Sequence, residues 1–134
     1  MSSYAPDSQG GLLDLLAEFY AADLPINNSS RALEAGRLVI GGQTYLLSFS
    51  VLNTNAAAQY IQLHDTGSAP SNGAIPVSVF TVAAAANLVV AFTMPGRRFH
   101  QGLYICNSST AATLTAGSAD CFFDVQVIPH QLIA

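Results

Sequence analysis

Few side chains in this 134-residue chain are equipped for chemistry: three histidines, eight carboxylates, four arginines, two cysteines and no lysine. His64-Asp65 is the one adjacent His/carboxylate pair. Neighbouring strand residues point to opposite faces, so these two cannot serve one substrate atom unless the strand has ended between them. His64 is expected as an outward strand residue at the lip of the loop that follows. The densest polar cluster is Arg97-Arg98-Phe99-His100, just after the Pro95-Gly96 turn. Arg97 and Arg98 either grip an acidic partner, as arginine does at desolvated interfaces, or are two solvated loop arginines beside a core Phe99. His130, after Pro129, is expected in solvent.

Other chemistries find even less support. Cys106 and Cys121 lie in apolar runs and lack the paired spacing of a zinc site, so they read as buried thiols. Asp120 and Asp124 bracket Cys121-Phe122-Phe123 but bring too few oxygens for calcium. No Gly-x-Ser-x-Gly elbow, phosphate-cradling glycine loop or His-Glu-x-x-His is present. Tryptophan is absent, leaving Tyr60 and Tyr104 as the aromatic candidates for a sugar platform; each also reads as an edge residue whose hydroxyl reaches water. The expectation is a protein that is not an enzyme and needs no metal or cofactor.

The elements that must position these residues fall into two regions. Residues 1–36 hold the whole net charge of −4, while the remainder is neutral. Within them Leu12, Leu15, Leu16 and Phe19 recur at helical spacing, with Asp14 and Glu18 on the polar side. Asp7 or Ser8 caps this helix, and Pro25 with Asn27-Asn28-Ser29-Ser30 ends it. Residues 31–36 could add a further short helical turn. So short a helix is marginal alone in water, so its apolar stripe must dock on something. A partner subunit or a larger surface is expected, with removal of residues 1–30 leaving a folded β domain.

From Arg37 onward the hydrophobic period is two. Tyr45, Leu47, Phe49 and Val51 form one stripe, and Leu88, Val90, Phe92 and Met94 another; Leu103 with Ile105, and Cys121 with Phe123, Val125 and Val127, repeat the pattern. Clusters of Gly, Pro, Asn and Ser divide the runs. Candidate strands fall near 37–41, 43–53, 58–65, 76–82, 87–94, 101–107, 111–116 and 121–128. Eight short strands with turns between them point to a mostly β, antiparallel, jelly-roll-like sandwich over residues 37–134, preceded by a helical arm and linker over 1–36.

Composition narrows the partners. Hydrophobic residues make up 51% and charged residues 9%, against a usual charged share of ~25%. That balance excludes a disordered chain, and the lack of a basic patch argues against nucleic acid. The apolar run Val77–Met94 is broken by Ser78, Thr81, Asn87 and Thr93, which argues against a membrane span, and the first residues lack a secretory pattern. So little charge implies that part of the surface is covered, most simply by further copies of the chain. Leu46, Leu52, Phe122 and Ala91, expected on outward strand faces, would then be interface residues.

Two strand phrases carry a family resemblance. One is Leu46 to Asp65, in which a strand ends at Asn53-Thr54-Asn55 and restarts as Gln59-Tyr60-Ile61-Gln62-Leu63-His64-Asp65; the other is Arg98 to Thr110. Together they resemble the small β-sandwich structural proteins of tailed bacteriophages, in particular capsid decoration (cement) proteins, over roughly residues 37–128. The resemblance implies a homotrimer on the outer capsid surface of the virion, seated where subunits of the major capsid protein meet and made in the host cytoplasm. It brings no catalytic residues with it. The contacts expected with a partner are Leu12, Leu15, Leu16 and Phe19 of the arm, with Arg97 and Arg98 of the sandwich. The alternative is a receptor- or glycan-binding module of a phage fibre or tail, with recognition in loops such as 66–75.

Overall fold

The computed structural model describes residues 25–130, and within them the chain is all strand and loop. The helical stripe Leu12, Leu15, Leu16 and Phe19 lies outside the described residues. Nine strands follow in order: β1 (Ile26–Ser29), β2 (Gly36–Gly41), β3 (Thr44–Asn53), β4 (Gln59–His64), β5 (Ser78–Val82), β6 (Asn87–Ala91), β7 (Arg97–Phe99), β8 (Gly102–Ser108) and β9 (Cys121–Pro129). They form two antiparallel sheets. Sheet A runs β1-β9-β3-β6, with β7 also paired to β3, and sheet B runs β2-β8-β4-β5.

The pairing is nested: β1 lies on β9 and β2 on β8, the early strands against the late ones. The sheets meet through their period-two apolar faces. Leu46, Phe49, Val51, Phe123, Val125 and Val127 of sheet A bury against Ile61, Leu63, Leu103, Ile105 and Val82 of sheet B. Phe49 of β3 meets Phe80 of β5 edge-on, with ring centroids 5.3 Å apart. The chain is therefore a β-sandwich, as the alternation requires.

Several expectations change. Ile26–Ser29 belongs to the stretch expected as the end of an arm, yet it pairs in register with Val127–Asp124 of β9, so the sheet begins before residue 37. Residues 31–36 form no helical turn: Glu34 bridges Cys121 and Gly36 already opens β2. Residues 111–116 are a loop rather than a strand, touching the ladder through a single Ser108–Ala116 bridge. There the Ser108 hydroxyl accepts from the Thr115 amide and Thr110 Oγ1 donates to the Thr113 carbonyl. Such local bonds compete with strand pairing.

The stripe on β3 also differs. Leu46 pairs Val127 while Ser48 pairs Gln126, leaving Leu47 as the extra residue of a bulge. The alternation therefore shifts: Thr44 and Leu46 are fully buried ahead of Phe49 and Val51, and Tyr45 and Leu47 are only half-buried. Leu46 is thus a core residue rather than an interface candidate. Met94, expected to complete the β6 stripe, lies beyond the strand and is 68% exposed, whereas Leu88, Val90 and Phe92 pack on the core.

Candidate functional site

The loops gather at two ends of the sandwich, and the polar residues gather with them. At the end where β3 begins, β7 carries Arg97 and Arg98 on opposite faces. Arg97 lies over the Phe99 ring, 5.8 Å from its centroid, and donates to the Ser78 hydroxyl and the Val77 carbonyl across the gap between sheets. It ties the sheets together. Arg98 pairs in register with Tyr45 and is exposed, its guanidinium 3.3 Å from Gln43 Oε1. The structure therefore does not bring the two arginines to one surface as a pair; Arg98 alone faces solvent.

Asp65 works at the same end. Its carboxylate accepts from the backbone amides of His100, at 3.1 Å, and Gln101, at 2.8 Å. Burial pushes the carboxyl up, but these backbone donors outweigh it and hold the group below the usual carboxylate range. It is thus a clasp between the loop after β4 and the turn before β8. Gly102 allows that turn: its φ is +149°, and a Cβ there would lie 2.6 Å from the Thr66 carbonyl oxygen and 2.8 Å from that of Ile40. His130 does not stand free, for its ring meets Tyr45 edge-on at 5.4 Å.

His64 departs furthest from its expected position. It is 3% exposed, not outward in solvent, because the outer face of sheet B is roofed by two loops. Residues 73–74 and Leu114 exchange backbone hydrogen bonds, joining the loop after β4 to the loop after β8. Beneath them Gln62, fully buried, donates from Nε2 to the carbonyls of Thr110, Ala111 and Thr113 at 2.9, 3.2 and 3.0 Å. Its Oε1 faces His64 Nε2 at 2.9 Å. Burial pushes the His64 pKa down from 6.5. Cys106 lies buried on β8, its thiol pushed up to about 12 by burial, as expected of an inert structural cysteine.

The opposite end, where β3 stops, holds a network of amides. Asn53, Gln59 and Asn107 occupy inward positions that continue the apolar stripes of β3, β4 and β8, and all three are buried. Gln59 Nε2 donates to Asn53 Oδ1 and Asp120 Oδ1, both at 2.8 Å. Asn107 Nδ2 donates to the Ser118 carbonyl and Asp120 Oδ1, both at 2.9 Å. Asn55 Nδ2 donates to Asp120 Oδ2 at 2.7 Å. Burial pushes the Asp120 carboxyl up, but hydrogen bonds led by those of Gln59 and Asn55 hold it below the usual range. Cys121 sits beneath, pushed up to about 11 mainly by burial. An open cavity of about 380 Å³ adjoins this network, with Asn55, Gln59, Ser109, Gly117 and Ser118 among its walls. The sequence shows Asn53, Gln59 and Asn107 only as polar residues at the ends of separate apolar stripes; their meeting at Asp120 comes from the fold.

The remaining feature is a surface. Loops roof the middle of sheet B but leave Leu38 and Val79 of its edge strands 41% and 38% exposed, and the outer face of sheet A is exposed along its rows. Register places Leu52 beside Phe122 and Asn87, then Ser50 beside Asp124 and Val89, then Ser48 beside Gln126 and Ala91. Val89 is 74% exposed, Phe122 38% and Leu52 36%, consistent with the outward placement expected for Leu52, Phe122 and Ala91. The polar members bond to one another, Ser48 Oγ to Gln126 Oε1 at 3.1 Å and Ser29 Oγ to Asp124 Oδ1 at 2.7 Å. Asp124 is the one carboxylate in these rows. No group of three or more potential metal-binding His, Cys, Asp or Glu occurs among the described residues, and no helix among them is long and apolar enough to cross a membrane.

No protein-family model matches the chain, and no curated protein matches it. Among solved structures, it is similar to the coat protein of Tobacco streak virus, with a TM-score of 0.44 and 8% sequence identity over 84% of this chain and 95% of that chain.

Proposed function

We propose that this chain is a virion structural protein: a capsid decoration (cement) protein that binds the outer shell as a homo-oligomer, a trimer, in contact with the major capsid protein. The observation that carries the reading is the asymmetry of the sandwich. The middle of sheet B is roofed by the chain's own loops, which leave Leu38 and Val79 exposed on its edge strands, whereas the rows across β9, β3 and β6 of sheet A present polar and apolar side chains with Asp124 as their one charge. A face of that composition is costly to leave in water and suited to burial against another protein surface, where charged residues are depleted. The nested strand order, β1-β9-β3-β6 over β2-β8-β4-β5, is that of a jelly roll, an architecture used by viral capsid domains. The phage-like strand phrases at 46–65 and 98–110 point the same way.

The role needs no catalytic step. A protein that binds assembled shell more tightly than free subunits stabilises the shell by linkage, and repeated contacts on a symmetric platform raise avidity. Cryo-electron microscopy of the virion that carries this chain tests the reading: density for the sandwich on the shell, with the face of sheet A against a neighbour, is expected. Density confined to the tail overturns the decoration role. In solution, L52D, V89D and F122D combined should keep the β-sheet circular dichroism yet reduce the mass seen by light scattering to that of one chain and abolish co-sedimentation with shells. A wild-type protein already monomeric at micromolar concentration would count against the oligomer.

A further inference from the structure

The cavity at the amide end has its own chemistry. Its volume of about 380 Å³ lies at the lower end of the ~300–1,000 Å³ usual for ligand sites, which suits one or two sugar rings. Gln59 is 6% exposed, and among the described residues its amide bonds leave from Nε2, toward Asn53, Asp120 and Cys121. Its Oε1 is thereby turned toward Gly117, 2.9 Å from where a Cβ on that glycine would sit. Asn107 Oδ1, fully buried and without a hydrogen-bond partner, approaches the same glycine. Gln59 lines the cavity and so offers it an amide oxygen with no protein donor among the described residues, while the orphaned Asn107 Oδ1 lies behind the glycine, and amide oxygens so placed are normally satisfied by a donor. Ser109 and Ser118 add hydroxyls that can both donate and accept.

Charge decides what that donor is. The Asp120 carboxylate stands close enough to repel an anion, yet its oxygens are already taken by Gln59, Asn107 and Asn55, which leaves little for a cation. The methyls of Ala57 and Ala58 offer small apolar contact for C–H edges. We infer that this cavity binds a neutral polyhydroxyl ligand, a sugar, whose hydroxyl donates to Gln59 Oε1. This goes beyond the structural role above and stands apart from it, because particle binding tests the one and sugar binding the other.

The test is an amide-resolved NMR titration of the full chain with glucose, galactose, mannose and N-acetylglucosamine, with glucuronate and glucosamine as charged comparators. Saturable shifts with at least one neutral sugar are expected, centred on residues 55–59 and 116–118. A58W, which fills the cavity from an exposed wall position, should weaken the response by about tenfold or more while leaving the rest of the spectrum unchanged. S118W serves the same purpose should A58W fail to fold. The inference is overturned by no saturable shift with any neutral sugar, by shifts centred elsewhere, by tighter binding of the charged sugars, or by undiminished binding in a folded cavity-filled variant.

Discussion

His64 and Gln62 act as one unit, each deciding what the other can do. The imidazole faces Gln62 Oε1, which orients the amide so that Nε2 meets three loop carbonyls. Because burial lowers the His64 pKa below 6.5, the unfolded chain takes up the proton before the folded one does. The contribution of this site to stability is therefore complete above pH 6.5 and is lost progressively as pH falls below it. Thermal melts should show the melting temperature falling from about pH 7 to about pH 5, with a shallower fall in His64→Gln. The carboxylates of Asp65 and Asp120, held below their usual range, act in a separate and more acidic window. Gln62→Ala removes the donor from under the loop and should cost about 1–3 kcal/mol in urea denaturation. The same variant should also speed labelling of Cys106 by a thiol reagent, since Cys106 is buried beside Gln62 in register on the same face.

At the scale of elements, the bulge in β3 decides which side chains enter the core. With Leu47 set aside as the extra residue, Leu46 and Phe49 both face inward, separated by Ser48. Deleting Leu47 restores plain alternation with the same residues inside, so the variant should fold. It should be less stable by about 1 kcal/mol for the lost bond from the Phe92 amide to the Leu47 carbonyl. Inserting one alanine between Phe49 and Ser50 has the opposite consequence: on one side of it every side chain changes face, and Val51 and Asn53 leave the core. That variant should lose its cooperative transition by circular dichroism. If both variants behave alike, the bulge does not govern the facing.

At the scale of the whole molecule, the position of β1 decides how much chain can be removed. Residues 25–130 carry four arginines against Glu34, Asp65, Asp120 and Asp124, so the entire net charge of −4 lies within the first 24 residues. Every strand among the described residues, β1 to β9, lies beyond residue 24. Removing residues 1–24 should leave the melting temperature within a few degrees, about what a change below 1 kcal/mol produces. Removing residues 1–30 also takes β1, uncovers the edge of β9 and exposes Val125 and Val127, so a clear fall is expected. The 1–24 cut therefore separates the arm from the sheet more cleanly than the 1–30 cut, for which the sequence predicts a folded β domain with impaired assembly. A light-scattering comparison of the 1–24 deletion with the full chain then reads out whether the acidic segment, with Leu12, Leu15, Leu16 and Phe19, contributes to assembly.

The sequence by itself determined the class of fold and most of its strands. Period-two stripes such as Phe123, Val125 and Val127 can bury only as strands of a two-layer β structure, and the Gly, Pro and Asn clusters leave few places to turn. The outward setting of Leu52 and Phe122 was legible for the same reason. The facing of Leu46 was not, because a bulge exists only relative to a partner strand, here β9. Nor was the burial of His64 and Gln62: on β4 they alternate with Ile61 and Leu63 as solvent-facing residues would, and the roof over them forms only when the loop at 73–74 pairs with the distant loop at 110–114. The amide network was hidden likewise, since Asn53, Gln59, Asn107 and Asp120 are distant in sequence and meet only when β3, β4, β8 and β9 end at the same edge of the sandwich. Strand periodicity is a local property, whereas register, roofing and the convergence of loop ends arise from pairings between distant segments, and the tertiary structure decided them.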